Sequence, residues 1–122
     1  MAVHELQVTV RERGGIGVID LVGDVNGSAE AALNEGYAEA VRGGAASVAL
    51  NFEAADYINS TGIALIVGLL AQARKSGIEV KAFGLSEHYR EIFELTRLDE
   101  AVGIHDSQDE ALAAAGASGP RP

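Results

Sequence analysis

The chain has 122 residues and nearly half of them are apolar, which fits one domain with a real core and excludes intrinsic disorder for its body. It contains no cysteine, so disulfides, thiolate metal sites and cysteine nucleophiles are excluded together. Eighteen acidic against nine basic residues give a formal charge of −9, which repels nucleic acid and anionic membrane, and no Lys/Arg cluster offsets it. Met1 to Val10 lacks a basic segment followed by an apolar run, so no signal peptide is expected. The longest apolar run, Ile63 to Ala71, falls short of the roughly 20 residues of a membrane span. The expected compartment is the cytoplasm.

Residues 5–11 alternate, Glu5, Gln7, Thr9 and Arg11 being polar and Leu6, Val8 and Val10 apolar. This predicts a strand with one wet face, near a sheet edge. Gly14-Gly15 turns the chain into a second strand, Ile16 to Val22, with hairpin spacing; it is apolar on both faces apart from Asp20 and so belongs inside the sheet. Gly23-Asp24-Val25-Asn26-Gly27-Ser28 is a loop rich in cap residues. Ser28 is predicted to cap a helix with Leu33, Tyr37, Ala40 and Val41 on one face, ended by Gly43-Gly44. Ala46 to Phe52 forms a third strand, and the turn Asn59-Ser60-Thr61-Gly62 leads into a second helix beginning near Ile63.

That helix is apolar on nearly every side until Arg74 and Lys75, and Gly77 stops it. Ile63, Ile66 and Leu70 read as core. Ala64 and Val67 are left to extend a partner-binding patch or to support a homodimer. Ile78 to Phe83 is a fourth strand, and Ser86 caps a third helix carrying Tyr89, Ile92, Phe93 and Leu95. A short strand spans 101–105, and Ser107-Gln108-Asp109-Glu110 fits a capping box for a last helix. The expected domain covers 1–115, with a flexible tail over 116–122. The fold class is α/β: a single mixed, mostly parallel sheet of four to five strands with about four helices.

The chemistry concentrates at Asn59-Ser60-Thr61-Gly62. The first turn of a helix presents free N–H groups and partial positive charge, so a phosphoryl group on Ser60 would land where the backbone favours it. The bland alternative is that Ser60 is simply the helix cap. An enzyme is not expected. Ile58 occupies the first glycine position of a Gly-x-Ser-x-Gly elbow, and His4, His88 and His105 each sit in a segment with its own structural role. Gly14-Gly15-Ile16-Gly17 lacks the Lys-Ser/Thr of a phosphate loop, and Asp106, Asp109 and Glu110 lack the spacing of a calcium loop, so neither cofactor nor metal is expected.

Four stretches in chain order resemble the STAS domain, the fold of bacterial anti-sigma factor antagonists: Gly23-Asp24-Val25-Asn26; Ile58-Asn59-Ser60-Thr61-Gly62-Ile63; Leu85 to Thr96, opening Leu-Ser; and Ile104 to Leu112, closing Ser-x-x-Glu-Ala-Leu. The resemblance implies a non-enzymatic regulator of transcription that works by partner switching. It would bind an anti-sigma factor with serine kinase activity and so release a sigma factor. Phosphorylation at Ser60 would end binding, and a PP2C-type phosphatase would restore it. The implied contact surface is Asp24, Asn26, Asn59, Ser60, Thr61 and Gly62. Three positions depart from the family's pattern: Asn26 and Asn59 stand where Asp is usual, and Arg97 replaces the glycine expected after Thr96, which predicts a differently shaped helix end. The two amides motivate an alternative: a STAS module that does not switch and acts as a stressosome-like scaffold or as an accessory subunit of a transport complex.

Overall fold

The computed structural model describes residues 5–117. The alternating N-terminal segment forms β1 (Gln7–Arg13), joined to β2 (Ile16–Val25) in antiparallel pairing. Gly14 and Gly15 both have positive φ, 59° and 82°, as the two-residue turn between these strands requires. β2 runs three residues beyond Val22 and pairs in parallel with β3 (Ser47–Ile58), which itself runs six residues beyond Phe52. The two extensions hold each other: Val22 pairs with Ala54, Asp24 with Tyr57 and Val25 with Ile58. Irregularities in register at Asp20/Val22 and Gly23/Asp24 break the period of two, so the apolar pattern does not reveal the extra length.

A short 3-10 turn, Gly27–Ala29, leads into α1 (Glu30–Arg42). Ser28 lies inside that turn and is not the predicted cap of α1, whose N-cap position is Ala29 and which has no side-chain cap; Asn26, in extended conformation, caps the 3-10 turn through its side-chain oxygen. The next helix, α2 (Ser60–Lys75), starts three residues before Ile63, so the expected polar turn is its first turn. It is followed by β4 (Glu79–Phe83), α3 (Glu87–Leu95), β5 (Gly103–His105) and α4 (Gln108–Ala117). Ser86 Oγ accepts from the Tyr89 N–H at 3.3 Å and Ser107 Oγ from the Glu110 N–H at 3.2 Å, as N-caps do. α4 continues to Ala117, and the rest of the tail expected over 116–122 lies outside the described residues, as does His4.

After α3, Arg97 sits at φ 62°, ψ 20°, the left-handed conformation that a glycine would adopt there. The expected change in shape is therefore corrected. The helix end keeps its conformation, and an arginine bears the strain.

The sheet order is β1-β2-β3-β4-β5, and every neighbouring pair except β1–β2 is parallel. One cluster joins Ile19, Leu21, Val48, Leu50, Val80 and Ala82 to the buried sides of α1, α2 and α3. The alternate residues Ile16, Val18, Ala49 and Phe83 pack under Ala111 and Ala115 of α4. Beside α4, Arg11 grips the Asp20 carboxylate through Nε at 2.6 Å and Nη2 at 2.9 Å, and Asn51 donates to the same carboxylate at 2.8 Å. The Arg11 hydrogen bonds hold the Asp20 carboxyl below its ordinary range, against the opposing effect of burial.

Candidate functional site

The C-terminal ends of β2 and β3 stop side by side, and each feeds a capped turn. At the end of β3, Asn59 is extended (φ −95°, ψ −178°) and its Oδ1 accepts from the Gly62 N–H at 2.8 Å. Its own N–H donates to the Val25 carbonyl at 3.2 Å, while its carbonyl accepts the first α2 hydrogen bond, from Ile63 N–H at 2.9 Å. At the end of β2, Asn26 Oδ1 accepts from the Ser28 N–H at 3.0 Å and from Ser28 Oγ at 2.7 Å. Both asparagines thus act through their side-chain oxygen, the atom that aspartate would also offer, and asparagine and aspartate rank alike as caps.

Gly62 locks the two turns together. A β-carbon on it would fall 2.7 Å from the Val25 carbonyl carbon and closer still to its oxygen, so only glycine lets the first turn of α2 rest on the end of β2. One at Gly27 would meet Thr61 Cγ2 at 3.4 Å, which places the Asn26 turn directly beside Thr61.

This arrangement sorts the residues singled out from sequence. Ser60 and Thr61 are exposed on the first turn of α2, and Asp24, Asn26 and Asn59 are half-buried around them. Gly62 is buried, so it positions its neighbours and is not itself accessible to a partner. The capping alternative for Ser60 is corrected: Asn59 is the cap, and Ser60 is the first helical residue. Along α2, Ala64, Val67 and Gly68 continue the exposed side that starts at Ser60, with Val67 44% exposed, whereas Ile66, Leu69 and Leu70 are buried and Ile63 is half-buried.

Two contributors were not singled out. Tyr57, 55% exposed, stands opposite Asp24 on the paired strand ends. Tyr89, read from sequence only as part of an apolar helix face, accepts the Ile58 N–H on its hydroxyl at 3.0 Å and so ties α3 to the chain entering α2. The hydroxyl on an otherwise apolar face was the available signal. His88 packs edge-on against Tyr89, and His105 lies on the edge strand β5, two strands from β3. Among the described residues, no group of three His, Asp or Glu side chains converges as a metal site would. No helix among them is long and apolar enough to cross a membrane.

Comparison with solved structures gives the same fold. An anti-sigma factor antagonist from Mycobacterium paratuberculosis superposes with a TM-score of 0.77 at 17% identity, covering 92% of this chain and 95% of that one. The anti-sigma factor antagonist SpoIIAA in its unphosphorylated form gives 0.67 at 18% identity, over 93% of this chain and 98% of that one. The Bacillus cell fate determinant SpoIIAA in the phosphorylated form gives 0.65 at 20% identity, over 89% and 97%. At these identities the likeness is one of fold. No curated protein sequence matches the chain. The STAS domain model matches residues 7–111, and the chain belongs to the STAS domain family.

Proposed function

We propose that this protein is an anti-sigma factor antagonist: a non-enzymatic regulator that binds an anti-sigma factor with serine kinase activity, releases a sigma factor, and is switched off by phosphorylation of Ser60 and on again by a PP2C-type phosphatase. The observation that carries this reading is the exposed Ser60 hydroxyl on the first turn of α2, beside the Asn26 turn. Asp24, Asn26, Asn59, Ser60 and Thr61 form the contact surface around it, with Gly62 setting their position. The neighbours of the same fold include a SpoIIAA in phosphorylated form, which supports a phosphorylation switch here.

Phosphorylation adds about −1.5 to −2 charges at one point. Buried in an interface without cationic partners, that group costs several kcal/mol, and about 4 kcal/mol is roughly a thousandfold in affinity. Each asparagine keeps the capping oxygen that aspartate would offer, so both turns around Ser60 hold their shape without the carboxylate charge.

The test is a binding titration against an anti-sigma factor kinase from the same cells. Ser60→Ala should bind like the wild type and Ser60→Asp should bind far more weakly. Incubation with the kinase and ATP should add one phosphoryl group to the wild type and none to Ser60→Ala. Equal affinity for the two variants would defeat the proposal.

A further inference from the structure

We infer that Asn26 and Asn59 select the partner of this protein through their amide N–H groups, which require hydrogen-bond acceptors on the anti-sigma factor; this rests on the function proposed above. The two caps fix which end of each amide is which, because only an oxygen can accept from a main-chain N–H. Asn59 spends Oδ1 on the Gly62 N–H, and Asn26 spends Oδ1 on the Ser28 N–H and hydroxyl. Nδ2 therefore stands on the other side of each amide, and among the described residues it donates to no protein group. Asn51, within β3, gives the contrast: its Oδ1 accepts from the Glu53 N–H at 2.9 Å while its Nδ2 donates to Asp20 at 2.8 Å.

Both side chains are half-buried, so part of each is open to solvent. Water satisfies their NH2 groups in the free protein. A partner that covers them must replace that water with an acceptor or leave a donor unsatisfied. Aspartate at either place would keep the cap and put a second carboxylate oxygen where the amide nitrogen stands. Such a surface asks its partner for donors or cations. The two asparagines thus keep the shape of the tip and invert its hydrogen-bonding polarity at two points, which attracts one kind of partner and mismatches the other.

The two points belong to one surface. The Asn59 N–H bonds to the carbonyl of Val25, the residue before Asn26, and Gly27 lies beside Thr61. Ser60 stands between Asn59 and Thr61, so a partner that covers Ser60 meets both amides. A phosphoryl group on Ser60 would bring negative charge and three acceptor oxygens. Partner acceptors placed for the amides would face that group with like polarity. This gives a specific source for the loss of affinity proposed for the phosphorylated form.

The test is the same binding titration with the double variant Asn26→Asp/Asn59→Asp. Its Tm should stay near that of the wild type, since aspartate caps as well as asparagine. Its affinity for the anti-sigma factor kinase should fall at least about tenfold. Gln72→Glu, which adds a negative charge at an exposed position near the other end of α2, should bind like the wild type. Repeating the titration at high salt identifies the acceptor: a loss that shrinks marks a partner carboxylate, and a loss that persists marks a carbonyl. Equal or tighter binding by the double variant would overturn the inference, as would an equal loss with Gln72→Glu. The function proposed above fails by a different result, Ser60→Asp binding like Ser60→Ala.

Discussion

Gly62→Ala and Gly68→Ala are the same chemical change in the same helix, and they should have opposite effects. At Gly68 the new methyl meets nothing within 4 Å, and the position is exposed. Alanine there gains helix propensity, about 1 kcal/mol relative to glycine. At Gly62 the same gain applies, but the methyl falls 2.7 Å from the Val25 carbonyl carbon, nearer than real β-carbons come to such atoms. The obstacle is main chain, so no side chain can rotate away, and because the Val25 carbonyl oxygen lies nearer still, relief requires α2 to retreat by roughly 1.5 Å to reach ordinary contact distance. That retreat strains packing by about 1–3 kcal/mol and lengthens the Asn59 N–H to Val25 bond, already 3.2 Å and worth about 1 kcal/mol.

The net expectation is about 2 kcal/mol of destabilisation for Gly62→Ala and about 1 kcal/mol of stabilisation for Gly68→Ala. In a domain of this size that is a fall in Tm of roughly 8 °C against a rise of roughly 4 °C. Urea unfolding with unchanged m-values checks the free energies. A Gly62→Ala variant within about 0.5 kcal/mol of wild type would refute the claim that this glycine locks the two turns together.

Arg97→Gly should raise stability by about 1 kcal/mol in the same unfolding assay, because the left-handed position costs any residue with a β-carbon. Tyr89→Phe should lower it by about 1–2 kcal/mol through the Ile58 N–H left without its acceptor, and amide exchange at Ile58 should quicken. Asn59→Ala should cost about 1 kcal/mol whereas Asn59→Asp should be close to neutral in thermal unfolding. The carboxyl of Asp20 titrates below its ordinary 3.8 in the folded chain, held there by Arg11 and Asn51. Its stabilisation is then complete above that value and is lost as pH falls through the lower, folded value. Asp20→Asn should accordingly flatten the acid limb of the stability profile below about pH 4.

The element order was legible because each segment carries its own period: two in β1, closer to 3.6 in α1 and α3, with Gly43-Gly44 and Gly77 as stops. The errors cluster where β2 and β3 run on together. Glu53-Ala54-Ala55-Asp56-Tyr57 has no apolar alternation, and its strand conformation comes from pairing with a bulged β2, a contact between distant parts of the chain. The same pairing explains the misplaced caps. Once β2 reaches Val25 and β3 reaches Ile58, Asn26 and Asn59 become the last extended residues, and Ser28 and Ser60 fall two places and one place too late to cap. Ser60 could be singled out from its neighbours in sequence. The main-chain contact that seats it, Val25 against Gly62, could not, since nothing in either residue names the other.

The frame of the site is thus main chain and cap oxygens, and its outward residues bear little of the structural load. This separates two ways in which a phosphate on Ser60 could act. It would sit on the first turn of α2, where negative charge is favoured by the helix dipole, typically by 0.3–1 kcal/mol, so it has no reason to melt the tip. Any loss of partner binding must then arise at the interface, from desolvated charge facing the partner. The corresponding signature is a Ser60→Asp variant that unfolds at or slightly above the wild-type Tm while its affinity collapses. A variant that lost affinity and stability together would place the effect in the tip, and the frame described here would not account for it.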